Sequence, residues 1–158
     1  MKAKDSRLIV VDACIAGAAT EKEDPVSRCC REALEEIYKI CHRMIMTPTI
    51  RDEWDRHRTR FAFLWRGTMT RHGKTERPNP PSLRIPNRGA LGLSPSEYEA
   101  LEKDMPLIEG ACAGDGIIVT RDDAITAIWA KCSKHIKTPK TIRWVNPVRD
   151  GTDCLRRL

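Results

Sequence analysis

Leu8-Ile9-Val10-Val11 is a continuous, mostly β-branched apolar run that stops abruptly at Asp12. Such a run, with no polar alternation, is the mark of a strand buried on both faces, and strands of that kind belong to parallel sheets covered by helices. Ile117-Ile118-Val119 repeats the pattern and is followed by Thr120-Arg121-Asp122. Two buried strands that each run into an acid at the carboxyl end constrain both the fold and the place where chemistry can occur.

The stretches between these runs read as helices. Small residues from Ala13 to Ala19 predict a short helical turn at the strand end. Asp24 and Pro25 provide an N-cap and a first helical position. From there Val26, Cys30, Ala33, Leu34, Ile37, Ile40 and Cys41 form an apolar stripe to about Arg43. Met44-Ile45-Met46 predicts a second strand. Thr49 with Asp52 suggests a loose capping box for one helix carrying Ile50, Trp54, Phe61, Leu64 and Trp65. Ser94 and Pro95 restart a helix, which Pro106 is expected to break near Asp104, with a second helix running to Ala113. Ala124 to Ser133 is helical, and Ile142 to Val145 is a last strand. This order predicts an α/β domain over residues 1–158, a three-layer α/β/α sandwich with a mainly parallel central sheet.

Residues 66–93 interrupt the pattern. Gly67, Gly73, Pro78, Pro80, Pro81, Pro86, Gly89 and Gly92 punctuate a stretch with few large apolar residues, which reads as a basic insertion. Charge is concentrated here: Arg51 to Arg88 holds ten Lys and Arg against four acids, whereas the remainder carries eighteen of each. A positive segment beside a neutral body points to an anionic partner, with nucleic acid the first candidate. Arg66, Arg71, Lys74 and Arg77 are the expected phosphate contacts, joined by Arg121 beside Asp122. For Trp54 and Trp65, core packing is the expectation ahead of base stacking.

Several classes fall away. No apolar run approaches the roughly 18 residues that span a bilayer, and the run before Asp12 is too short for a signal peptide, so no membrane role and a cytoplasmic location are expected. Seven scattered cysteines with no C-x-x-C pair argue against structural zinc and read as reduced thiols. No G-x-G-x-x-G follows the first strand, against a dinucleotide-binding domain. A phosphoacceptor receiver needs paired acids after its first strand, and only Asp12 stands there.

Ligands of open parallel sheets sit at the carboxyl ends of the strands. Asp12 and Asp122 point to that rim. Glu53, early in the helix after the second strand, can face it, and so can Asp104. At an effective dielectric near 20, each carboxylate pair about 4 Å apart repels by on the order of 4 kcal/mol, so such a cluster needs a cation or raised pKa values. An all-oxygen set selects a hard cation, Mg²⁺ or Mn²⁺. Asp123 adjoins Asp122 and Asp115 is close in sequence, so both are open as further ligands.

Three segments carry a family resemblance. Ile9 to Ile15 looks like the opening strand and first acid of PIN-domain nucleases. Thr49-Ile50-Arg51-Asp52-Glu53-Trp54 resembles the family's second acidic position. Asp104 to Asp122 resembles its acid-bearing helix, turn, strand and V-T-x-D motif. The resemblance covers roughly 9–65 and 95–147. It implies a metal-dependent endoribonuclease that hydrolyses single-stranded RNA with Mg²⁺ or Mn²⁺. Asp12, Glu53, Asp104 and Asp122 would be its catalytic and metal-ligating acids. Cys14 departs from the Ser or Thr common near the first acid. The alternative expectation is a PIN-like module that binds nucleic acid without cutting it. The resemblance leaves open whether an antitoxin, another regulatory protein or a second copy of the chain is a partner.

Overall fold

A computed structural model describes residues 6–158. Its centre is a five-stranded, all-parallel sheet in the order β3-β2-β1-β4-β5. The strands are β1 (Leu8–Val11), β2 (Arg43–Ile45), β3 (Thr75–Glu76), β4 (Ile117–Val119) and β5 (Arg143–Val145). Ile9, Val10, Val11, Ile118 and Val119 are almost wholly buried, as continuous apolar strands between two helical layers must be. The connection β1 to β2 runs one way along the sheet and β4 to β5 runs the other. Right-handed crossovers then place their helices on opposite faces. α2 (Pro25–Ile40) and α4 (Arg60–Arg71) pack together on one face, and α6 (Pro95–Cys112) and α7 (Asp123–Cys132) on the other. The chain is therefore a three-layer α/β/α sandwich. Among the described residues, no helix is long and apolar enough to cross a membrane.

Local chemistry explains most boundaries. α1 (Ala13–Ala18) starts directly on Asp12, which is its N-cap. Asp24 caps α2 by accepting from the Ser27 amide at 3.0 Å, with Pro25 at the first position. α3 (Pro48–His57) begins two residues earlier than expected. Thr47, not Thr49, is the cap, accepting from the Ile50 amide, and Pro48 supplies the first helical φ. The single helix expected through Trp65 is two helices. Arg58 and Thr59 are extended, and Thr59 caps α4 while donating its hydroxyl to the Ala16 and Ala19 carbonyls of the α1 end. A half-buried hydroxyl with three partners, two of them on the distant α1 end, outweighs the continuous apolar periodicity.

The segment 66–93 is more ordered than its composition suggests. α4 continues to Arg71, Thr75–Glu76 adds the edge strand β3 beside β2, and Arg88–Leu91 forms a short helix, α5. Leu91 and Leu93 are buried anchors for its end. α6 also differs from expectation: it does not break near Asp104 but runs unbroken to Cys112 with Pro106 inside it. Pro106 removes one helical hydrogen bond, yet Leu101, Met105, Leu107 and Ile108 are buried around it, and this packing holds the helix together.

Trp54 and Trp65 are core residues. Their rings stack at 6.0 Å between centroids, and their indole N–H groups donate to the Val11 and Leu34 carbonyls at 2.8 and 2.7 Å. Trp54 thereby pins α3 to the carboxyl end of β1.

The turn into β4 depends on Gly116, whose φ is +75° and whose Cβ, if present, would lie 2.5 Å from the Thr141 carbonyl oxygen. Gly116→Ala should therefore lower unfolding free energy by more than the roughly 1–2 kcal/mol of the left-handed conformation alone. Urea unfolding checks this, and an unchanged midpoint would contradict it.

Candidate active site

β1 and β4 are neighbours from which the chain winds in opposite directions, so the crevice at their carboxyl ends is the switch point of the sheet. Their register pairs Val11 with Val119, and the next residues out are Asp12 and Thr120. The Asp12 amide donates to the Val119 carbonyl at 2.9 Å, extending the ladder to the acid itself. The buried Thr120 hydroxyl donates to Asp12 Oδ2 at 2.8 Å and accepts from the Asp122 amide at 3.0 Å. One hydroxyl thus ties the acid of β1 to the acid that follows β4. Cys14 Sγ lies 3.3 Å from the same oxygen, and burial, with the Asp12 charge, pushes its thiol up to about 12. Cys14 is therefore a neutral thiol, not a nucleophile.

The other two acids arrive on helices. Trp54 fixes α3, so Glu53 in its second turn overlooks the crevice. Asp104 comes from the middle of α6, where Lys103, Asp104, Pro106 and Leu107 form one face at helical three- and four-residue spacing. Asp12, Glu53, Asp104 and Asp122 line a single cavity of about 180 Å³, with Cys14, Thr49, Ile50, Trp54 and the Lys103–Leu107 face completing the wall. Asp104 carries the strain of this crowding. Burial raises its carboxyl to about 6, and Asp12, Asp122 and Glu53 push it the same way while Lys103 opposes them.

Three of the four acids already have a protein partner or a helix to cap. Asp122 accepts from the Ala124 and Ile125 amides, and Asp12 from the Cys14 amide. Glu53 is engaged by Arg56 at 2.7 Å and by His57 at 3.6 Å. Among the described residues, no three His, Cys, Asp or Glu side chains are gathered tightly enough to grip an ion as they stand. The donor set is nevertheless all carboxylate, the chemistry a hard divalent cation requires.

The remaining acids separate cleanly. Asp115 precedes β4, and its Oδ2 accepts from the Leu8 amide at 2.7 Å, so it sits at the amino end of the sheet and not near the site. Asp123 is held by Arg149 at 2.8 Å and Asn146 at 3.0 Å and does not line the cavity.

The expected phosphate contacts also divide. Arg121 is on the rim, its Nε donating to the Cys14 carbonyl at 3.1 Å. Arg77 follows β3 and lines a shallow cleft with Arg51, Asp52 and Asp55 on the same side of the sheet. Arg66 is not in a loose insertion: it lies on α4, mostly buried, bonded to Asp55 at 2.8 Å. Arg71 and Lys74 precede β3 and therefore lie toward the amino ends of the strands, away from the cavity. Lys74 donates to the Tyr38 carbonyl at 2.9 Å and rests over its ring. Sequence reasoning gave no role to Thr120 or Lys103. For Thr120 a signal existed, since it is the first residue beyond a buried strand and two before an acid.

No family model matches this chain, and neither does any curated protein or solved structure.

The raised Asp104 carboxyl has a definite sign in stability. Between the ordinary aspartate value of about 3.9 and about 6, the folded chain holds a proton that the unfolded chain has released. Its contribution is fully present below that range and is lost as pH rises through about 6. In EDTA, the wild type should lose stability relative to Asp104→Asn between pH 5 and pH 7.5, as read from urea midpoints. Parallel pH profiles for the two proteins would contradict this.

Proposed function

We propose that this protein is a metal-dependent phosphodiesterase, an endoribonuclease acting on single-stranded RNA. One observation carries the reading. Four carboxylates from four different elements line one small cavity at the sheet's switch point, although burial, reinforced by the charges of Asp12, Asp122 and Glu53, raises Asp104 to about 6. A fold gains nothing in stability from such crowding; a hard cation would relieve it. The resemblance of Asp12, Glu53, Asp104 and Asp122 to the acids of PIN-domain nucleases supports the same conclusion.

In this reading the four acids hold Mg²⁺ or Mn²⁺, which supplies Lewis acidity to the phosphodiester and to the attacking water. Thr120 keeps Asp12 oriented through its 2.8 Å hydrogen bond. Arg77, which follows β3, and the guanidinium nitrogens of Arg121 that are not bonded to the Cys14 carbonyl would hold flanking phosphates of an extended strand. Arg66 acts at a distance, keeping Asp55 occupied and α3 in place.

A second reading, nucleic-acid binding without hydrolysis, has one observation in its favour: Glu53 is already paired with the Arg56 guanidinium at 2.7 Å.

Labelled single-stranded RNAs of mixed sequence, incubated with Mn²⁺ or with EDTA, separate the two. Wild type should cut only with metal, and Asp12→Asn should lose at least about a hundredfold in rate, the scale of removing one preorganised electrostatic group. Folded wild type that binds RNA yet cuts none of it with either Mn²⁺ or Mg²⁺ would favour the binding module.

A further inference from the structure

Lys103 is the one cation among the residues that line the carboxylate cavity. The other positive side chains near the rim are committed elsewhere. Arg56 pairs with Glu53, Arg66 and Arg58 with Asp55, and Arg121 donates to the Cys14 carbonyl. Lys103 is exposed and, among the described residues, takes part in no ion pair or side-chain hydrogen bond, so its ammonium is available to a ligand. Its position is fixed by the fold. α6 presents Lys103 and Asp104 to the cavity together with Pro106 and Leu107, and the buried Leu101, Met105 and Ile108 hold the helix in that rotation.

A site of four carboxylates has an electrostatic problem that a cation alone does not solve. One divalent ion leaves the cavity at net negative charge, and two leave it neutral, while the phosphodiester that must enter is itself an anion. A point charge on a flexible stem, beside the acids but not part of their hydrogen bonds, suits a non-bridging phosphate oxygen.

We propose that Lys103 is the phosphate-binding cation of this site, holding a non-bridging oxygen of the scissile phosphodiester over the four carboxylates. This assignment rests on the nuclease reading above. It gives Lys103 two opposed effects: it favours the substrate anion and disfavours the metal cation.

The opposition is the test. Lys103→Met keeps the stem and removes the charge; Lys103→Arg keeps the charge. Cleavage of labelled single-stranded RNA with Mn²⁺ is measured beside Mn²⁺ affinity by calorimetry without RNA. Lys103→Met should lose about a hundredfold in kcat/KM, the scale of one lost electrostatic contact to the transition state. The same variant should bind Mn²⁺ about three- to tenfold more tightly, as expected for removing a positive charge several ångströms from the ion in a largely aqueous cleft. Lys103→Arg should restore most of the cleavage and the wild-type Mn²⁺ affinity. Lys103→Met that cuts RNA at the wild-type rate, or that loses activity while Mn²⁺ affinity stays the same or falls, overturns the assignment while leaving the nuclease reading intact. Wild type that cuts no RNA while binding Mn²⁺ overturns both.

Discussion

The parallel pairing of β1 with β4 is the contact on which everything else here depends. Its register sets Asp12 beside Thr120, and from that follow the hydrogen bond between them, the orientation of Asp122 two residues on, and the position of the crevice. A slip of one residue would draw Asp12 into the sheet between the helical layers and break its hydrogen bond to Thr120. The apolar faces of both strands, buried under helices on two sides, prevent that slip. The stability of the core and the geometry of the site are thus the same constraint seen from two ends.

Electrostatics works against this arrangement, and the surroundings show how it is contained. Asp12 and Asp122 are each a helix N-cap, so backbone amides offset part of their charge. Glu53 has Arg56 and His57. Asp104 has only Lys103 to oppose the charge around it, and it is the acid whose carboxyl is displaced to about 6. Trp54 sets the distance at which Glu53 joins the others, because its indole N–H takes the last carbonyl of β1. Backbone and helix caps thus fix Asp12 and Asp122, whereas Glu53 and Lys103 reach the cavity from the surfaces of α3 and α6.

Much of this was legible in the chain, for identifiable reasons. β1 and β4 announce themselves because fully buried parallel strands have no polar alternation, and an acid directly after such a strand has to lie on the carboxyl rim. Pro106 misled because its effect on an isolated helix is large, whereas in α6 the packing of Leu101, Met105 and Ile108 decides. β3 was invisible: two residues, Thr75 and Glu76, on a sheet edge carry no hydrophobic signature. The break at Arg58–Thr59 depends on Thr59 reaching carbonyls of the first helix, 40 and 43 residues earlier, which no local pattern encodes. Asp115 and Lys74 show the limit of proximity in sequence. Both sit within a few residues of a strand, but before it, and the length of the strand puts them at the other end of the sheet.

Asp12, Glu53, Asp104 and Asp122 are proposed to form one divalent-cation site. Anomalous scattering from crystals soaked in Mn²⁺ tests it most directly. A manganese peak is expected inside the cavity, within coordination distance of oxygens from Asp12, Asp104 and Asp122, with Glu53 swung away from Arg56 toward the ion or its water. A cavity that stays empty at millimolar Mn²⁺, or a peak held by Asp115 or Asp123 instead, would contradict it.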